Sequence, residues 1–216
     1  GCILGMMNGL LISYGKLAPF IVTLATMTIF RGATLVYTNG NPITKGLSDT
    51  FLFQFLGQGY IVGIPFPVII MFIVFIVLYV LLHKTAFGKS VYAIGGNEKA
   101  AYISGVKLNK VKIIIYSISG IMASISGLII TSRLSSAQPT AGASYEMDAI
   151  AAVVLGGTSL SGGKGRILGT LIGALIIGVL NNGLNIIGVS AFWQQVVKGV
   201  VILIAVLIDR FKVVKQ

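Results

Sequence analysis

The chain has 216 residues, 56% of them hydrophobic and 10% charged, with a mean hydropathy of +0.97. Soluble domains carry about 25% charged residues, so this composition argues against a water-soluble fold. Sixteen Lys and Arg against five Asp and Glu give a formal charge of +11, while one cysteine, Cys2, and one histidine, His83, leave no internal disulfide and no histidine-rich metal centre.

Residues 1–12 are an apolar run in which Gly1, Gly5 and Gly9 fall four apart, a small-residue stripe that admits a close helix neighbour. At about 1.5 Å per residue the run covers roughly 18 Å of a ~30 Å hydrocarbon core, which predicts the tail of a membrane helix whose upstream part is missing. Residues 17–38 reach the about 20 apolar residues needed for a crossing, with Arg31 inside them. In the segment 39–63, Phe51, Phe53, Phe55 and Tyr60 suit a membrane interface. Residues 64–82 predict the next span; positions 68–78 are apolar all round, unlike the alternating strands of a barrel.

The stretch 83–112 holds Lys84, Lys89, Lys99, Lys107, Lys110 and Lys112 against Glu98 alone. Within it, Asn97 is a favoured N-cap, Glu98 suits a first turn and Gly105 a left-handed stop, so a short helix is expected, packed on something because it is too short to stand alone. Residues 113–132 predict a span with Ser117, Gly120, Ser124 and Gly127 at helical steps. Between 133 and 163 the one helical candidate is 145–156, about 18 Å long, read as a short or broken helix buried among others. Residues 167–188 form a span with Gly169 and Gly173 on one face and Asn181, Asn182 and Asn185 at its end. Residues 191–208 form the last, opening with Phe192 and Trp193 and carrying Gln194, Gln195 and Lys198 before a basic tail at 209–216. The expected fold is all-α: a polytopic helical membrane protein with about five to six membrane helices plus short or broken ones.

Basic residues orient the chain. Twelve of the sixteen, and two of the five acidic residues, fall at Lys16, in 83–112, at Lys164 and Arg166, and in the tail, all of which are read as cytoplasmic. The charge is thus a topology signal and not a nucleic-acid footprint, and the C-terminus is expected inside.

Chemical signatures are sparse. The run Gly156-Gly-Thr-Ser-Leu-Ser-Gly-Gly-Lys-Gly-Arg166 looks like a phosphate-binding loop, but its glycines are mis-spaced and Gly165 stands where a Mg²⁺-binding Ser or Thr belongs; a tight turn between buried helices is expected instead. No catalytic constellation is visible. Glu146 and Asp148 suit pairing with a basic group or capping of a helix start. Lys198 lies near the middle of a span, where ionisable groups are costly and mark a function, with an ion pair to Asp148 or Glu146 as the structural alternative. Asn181, Asn182 and Asn185 suit a hydroxylated solute or, equally, interhelical hydrogen bonds. An ion-gradient transporter using Lys198, Glu146 and Asp148 is the competing functional reading.

Three segments carry a resemblance. Gly88-Lys-Ser-Val-Tyr-Ala-Ile-Gly-Gly-Asn-Glu-Lys-Ala-Ala-Tyr-Ile-Ser-Gly105, Ser136-Ala-Gln-Pro-Thr-Ala-Gly142 and Tyr145-Glu-Met-Asp-Ala-Ile-Ala-Ala-Val-Val-Leu-Gly-Gly-Thr-Ser-Leu-Ser-Gly-Gly-Lys-Gly165 are similar to the permease subunits of bacterial ATP-binding-cassette monosaccharide importers, those for ribose above all. The likeness extends over essentially all of residues 1–216, including Val36-Tyr-Thr-Asn-Gly40 and Asn181-Asn-Gly-Leu-Asn185. It implies one transmembrane permease domain in the bacterial inner membrane and a pathway formed with a second permease copy. It also implies cytoplasmic ATP-binding subunits that use ATP and Mg, a periplasmic sugar-binding protein, and no cofactor or ATPase motif in this chain. The loop 83–112 is then the coupling loop, with Gly88, Tyr92, Gly95, Asn97, Ala100, Ala101, Ser104 and Gly105 expected at the ATPase. Asn181, Asn182, Asn185, Lys198, Glu146 and Asp148 are expected along the substrate pathway.

Overall fold

The computed structural model describes residues 1–44, 46 and 51–214; the side chains of the basic tail at 209–216 lie outside the described residues. Helices dominate: α1 (Cys2–Ser13), α2 (Pro19–Thr38), α3 (Phe51–Gln58), α4 (Phe66–Lys84), α5 (Ala86–Gly96), α6 (Glu98–Ile103), α7 (Leu108–Leu134), α8 (Tyr145–Leu155), α9 (Ile167–Ile186) and α10 (Ala191–Val214). Among the described residues there are also a hairpin of β1 (Tyr60–Ile61) and β2 (Ile64–Pro65), paired antiparallel, and an isolated bridge between Ile43 and Ala137. α2, α4, α7 and α9 are long and apolar enough to cross a membrane, and α1 and Ala191–Ile204 are shorter apolar helices. α4 buries none of its side chains, as a helix facing lipid should. This is a polytopic helical membrane protein, as its composition implies.

Contacts divide the chain into two compact units: residues 1–74 with 105–141, and residues 75–104 with 142–216. In the first, α1 lies along α7, and the glycine stripe is the reason. A Cβ on Gly9 would sit 2.7 Å from the Ile113 Cα, one on Gly5 would strike the Tyr116 carbonyl, and Gly120 meets the Gly1 backbone in return. Gly127, on the same predicted stripe, meets nothing within 4 Å, so the seam ends before it. α3 packs on the end of α7, where Gln58 Nε2 donates to the carbonyls of Ser132 (3.2 Å) and Arg133 (3.3 Å) and to Ser135 Oγ (3.0 Å). These bonds satisfy carbonyls that a helix end leaves unpaired. Ser132 is fully buried, its hydroxyl donating to the Phe53 carbonyl.

In the second unit, α9 packs on α8 through the same device: Gly169 lies against the Gly156 backbone and Gly173 against the Ala152 carbonyl. Ala151, Ala152 and Ile177 form the core, with Val201 and Ile202 of α10 against them.

Three boundaries differ from expectation. The span expected from Ile64 starts at Phe66, because Val62 (φ +50) and Gly63 (φ +78) turn the chain so that Ile64 and Pro65 pair with β1. A two-residue turn with both φ positive matches the twist of paired strands. α7 starts at Leu108 rather than Ile113, since hydropathy marks what enters lipid and not where helical bonding begins. Residues 86–96 form a full helix inside the expected loop; its glycines Gly88, Gly95 and Gly96 lower its propensity, and tertiary packing overrides that.

Candidate functional site

Asp148 on α8, Asn181 on α9 and Lys198 on α10 meet in the second unit. Lys198 Nζ donates to Asp148 Oδ2 at 2.9 Å, and Asn181 Nδ2 donates to the same oxygen at 3.2 Å. The side chains of Lys198 and Asp148 are 19% and 20% exposed. The seam below sets this meeting. α8 runs one turn from Ala152 back to Asp148 while α9 runs two turns from Gly173 on to Asn181, so close backbone approach at Gly173 brings the two polar groups within reach. The chemistry of the donors fixes the amide's orientation. A carboxylate only accepts, so Asn181 must turn its NH₂ to Asp148. Its own oxygen, and Asp148 Oδ1, are buried with no partner among the described residues.

The other expected pathway residues lie apart from this cluster. Glu146, two positions from Asp148 and so on another side of α8, is exposed, as is Asn182. Asn185 Oδ1 accepts instead from Gln194 Nε2 at 2.8 Å, and that amide also reaches the Val189 carbonyl at 2.9 Å, tying the end of α9 to the start of α10. Capping of the α8 start by Asp148 does not occur: Ser144 is the N-cap, no side chain bonds there, and the Asp148 carboxylate is held by Lys198 and Asn181.

The expected coupling residues from Gly88 to Ser104 form a second assembly in the same unit, and Gly105 belongs to the first. Thr85 caps α5 by accepting from the Gly88 amide (3.2 Å), and buried Gly88 lets the chain bend tightly at the end of α4. Asn97 Oδ1 accepts from the Ala100 amide at 3.0 Å, making α6 a capped helix, and Gly105 follows at φ +84. α6 packs on α5, with Ala101 buried at 4% exposure, whereas Tyr102 and Ile103 stand out at 69% and 84%. Ala100 and Ser104 are also exposed. Once Ala101 is the buried position, helical phase turns Tyr102 and Ile103 about 100° and 200° away from it and so outward.

The glycine-rich run after α8 is a turn, with Gly157, Gly162 and Gly163 at positive φ. α5 is braced on it. Tyr92 Oη donates to the Gly165 carbonyl at 2.7 Å, and a Cβ on Gly95 would lie 2.6 Å from the Gly163 nitrogen. Tyr92, Gly95, Val153, Lys164, Arg166 and their neighbours line a cavity of about 410 Å³ there.

Residues 1–206 match a family model described as branched-chain amino acid transport system / permease component. The chain belongs to this permease family. It is 69% identical over 205 residues to the ribose import permease protein of Bacillus subtilis (strain 168), covering 95% of this chain and 63% of that protein. To the ribose import permease protein of Escherichia coli (strain K12) it is 55% identical over 213 residues, covering 98% and 66%. To a probable ABC transporter permease protein of the same strain it is 42% identical over 188 residues, covering 87% and 56%. The chain therefore spans less than two thirds of the first two relatives' length. No solved structure matches it significantly. Ionisable groups in membrane proteins are costly to bury and pair with one another, as Lys198 and Asp148 do here.

Proposed function

We propose that the chain is the translocating part of an ATP-driven monosaccharide importer of the bacterial inner membrane, with ribose as its sugar. The observation that carries this reading is the 69% identity over 95% of the chain to a permease named for ribose import. The likeness to a probable ABC transporter permease favours ATP over an ion gradient as the energy source. Two permease copies enclose the pathway, and a periplasmic sugar-binding protein delivers ribose. Cytoplasmic ATP-binding subunits use ATP and Mg, and this chain hydrolyses nothing itself.

The C-terminus and residues 83–112 face the cytoplasm in this reading. α6 then offers the exposed Tyr102 and Ile103 to the ATPase, while Asn97 and Ala101 hold the helix in shape. ATP binding moves α6 and α5, and Tyr92 and Gly95 carry that displacement into the glycine turn from which α8 and α9 extend. This is a coupling free energy passed between two distinct places through packed elements. The Asp148, Asn181 and Lys198 cluster is the polar part of the pathway.

Competition for ATP-dependent uptake of labelled ribose by ribose, xylose and galactose, using the full-length permease with its ATPase and binding protein, tests the sugar. Ribose is expected to compete best. Uptake that ribose does not reduce would return the assignment to another monosaccharide.

A further inference from the structure

Between α8 and α10 lies a small cavity of about 170 Å³, lined by Ser144, Met147, Gln195, Lys198, Gly199 and Ile202. Pockets for drug-sized ligands run to roughly 300–1,000 Å³, so this one takes a molecule of a single small ring at most. Its walls divide by chemistry. Met147 and Ile202 are apolar and Gly199 offers bare backbone, while the remaining three side chains are polar.

Those three have hydrogen-bonding capacity left over. The Lys198 ammonium has three donors and spends one on Asp148. Gln195 and Ser144 have no side-chain hydrogen bond among the described residues, whereas the adjacent Gln194 is engaged by Asn185 and Val189. Ser144 also sits at φ +69, a left-handed conformation unusual for a residue with a Cβ, and its hydroxyl does not cap the helix that it precedes. Strain of this kind gathers at binding sites, where the surrounding structure holds it in place.

We infer that this cavity is a subsite for an uncharged, hydroxyl-rich solute of single-ring size, which rests on the proposed reading and deepens it. Lys198 and Gln195 donate to ring or hydroxyl oxygens. The Gln195 carbonyl and the Ser144 hydroxyl accept from solute hydroxyls, and Met147 and Ile202 cover the C–H face. Asp148 is a positioning residue: it fixes the ammonium and cancels its charge, so an anionic sugar meets no net attraction and a carboxylate 2.9 Å behind the donor.

Thiol protection in the assembled, full-length importer tests this. Gln195→Cys is made with Cys2→Ser and labelled by a maleimide in proteoliposomes, with ribose, 2-deoxyribose or ribose 5-phosphate present. Ribose is expected to slow labelling, 2-deoxyribose to protect less, and the phosphate least. Ser144→Gly, which suits the left-handed backbone, is expected to raise the half-protecting ribose concentration about five-fold through one lost hydrogen bond. Asn41→Cys, at an exposed position in the loop after α2, should label equally throughout. If Gln195→Cys does not assemble, Ser144→Cys gives the same readout from the opposite wall.

Equal labelling with and without ribose, in an importer that takes up ribose, overturns the subsite. Absence of ATP-dependent ribose uptake by the unsubstituted importer overturns the proposed function instead.

Discussion

The two units use one packing device for different ends. In the first, Gly1, Gly5 and Gly9 of the α1 segment meet Gly120 and the backbone at Ile113 and Tyr116, and the seam carries no charge, the hydroxyl of Ser117 within it bonding back to the Ile113 carbonyl at 2.8 Å. In the second, Gly156, Gly169 and Gly173 seat α9 on α8, and the same two helices then carry Asp148 and Asn181 to Lys198. Lipid is as apolar as a leucine side chain, so close van der Waals approach has to hold helices together in a membrane. A glycine seam by itself is a scaffold; with an ion pair beyond it, it becomes a positioning device.

The largest expected effect breaks both seams. Gly5→Ala and Gly173→Ala each push a Cβ into backbone, with an expected cost of about 1–3 kcal/mol, read as lost thermal stability in detergent. Gly173→Ala should also abolish transport by whatever protein survives, because it shifts Asn181 against Asp148, whereas Gly5→Ala should lower transport only in step with folded protein. Gly127→Ala lies on the same helix as Gly120 but faces open space, so a gain of about 0.5–1 kcal/mol from helix propensity is expected there.

The ion pair is comparable in stability but confined to one unit. Asp148→Asn and Lys198→Gln are each expected to cost about 1–3 kcal/mol, since a charge-assisted bond is lost and a partly buried partner is left over. Asp148→Leu with Lys198→Met should recover much of that stability without recovering transport. A thermal-shift double-mutant cycle with paired uptake assays measures both quantities, and additive single losses would remove the pair from the account.

Smaller effects belong to the proposed coupling assembly. Asn97→Ala removes the α6 cap and should cost about 1 kcal/mol, seen as faster amide exchange over residues 97–104. Tyr92→Phe loses one bond to the Gly165 carbonyl, worth about 0.5–1.5 kcal/mol. Its expected signature is ATP hydrolysis that persists while sugar uptake per ATP falls.

Most of the helical frame was legible in the sequence, because apolar runs of membrane length leave few alternatives. The capped α6 was legible too: Asn97, Glu98 and Gly105 are local signals and the helix obeys them. The pairing of Lys198 with Asp148 was foreseeable as one of two options, but choosing Asp148 over Glu146 required the helical phase that the α8–α9 seam sets. α5 was missed because its glycines obscure propensity, and its place depends on Tyr92 and Gly95 meeting a turn some 70 residues away. The Ser144 and Gln195 cavity was missed for a similar reason: neither residue signals anything until α8 and α10 lie side by side.

Uptake of labelled ribose into proteoliposomes, with Ile103→Glu placed in the full-length permease beside its ATPase and binding protein, tests the central claim of ATP-coupled transport through α6. The expected result is strict ATP dependence without the substitution, and loss of both uptake and ATPase stimulation with it while membrane insertion is unchanged. Uptake that survives removal of the ATPase and collapses with an uncoupler would contradict the account.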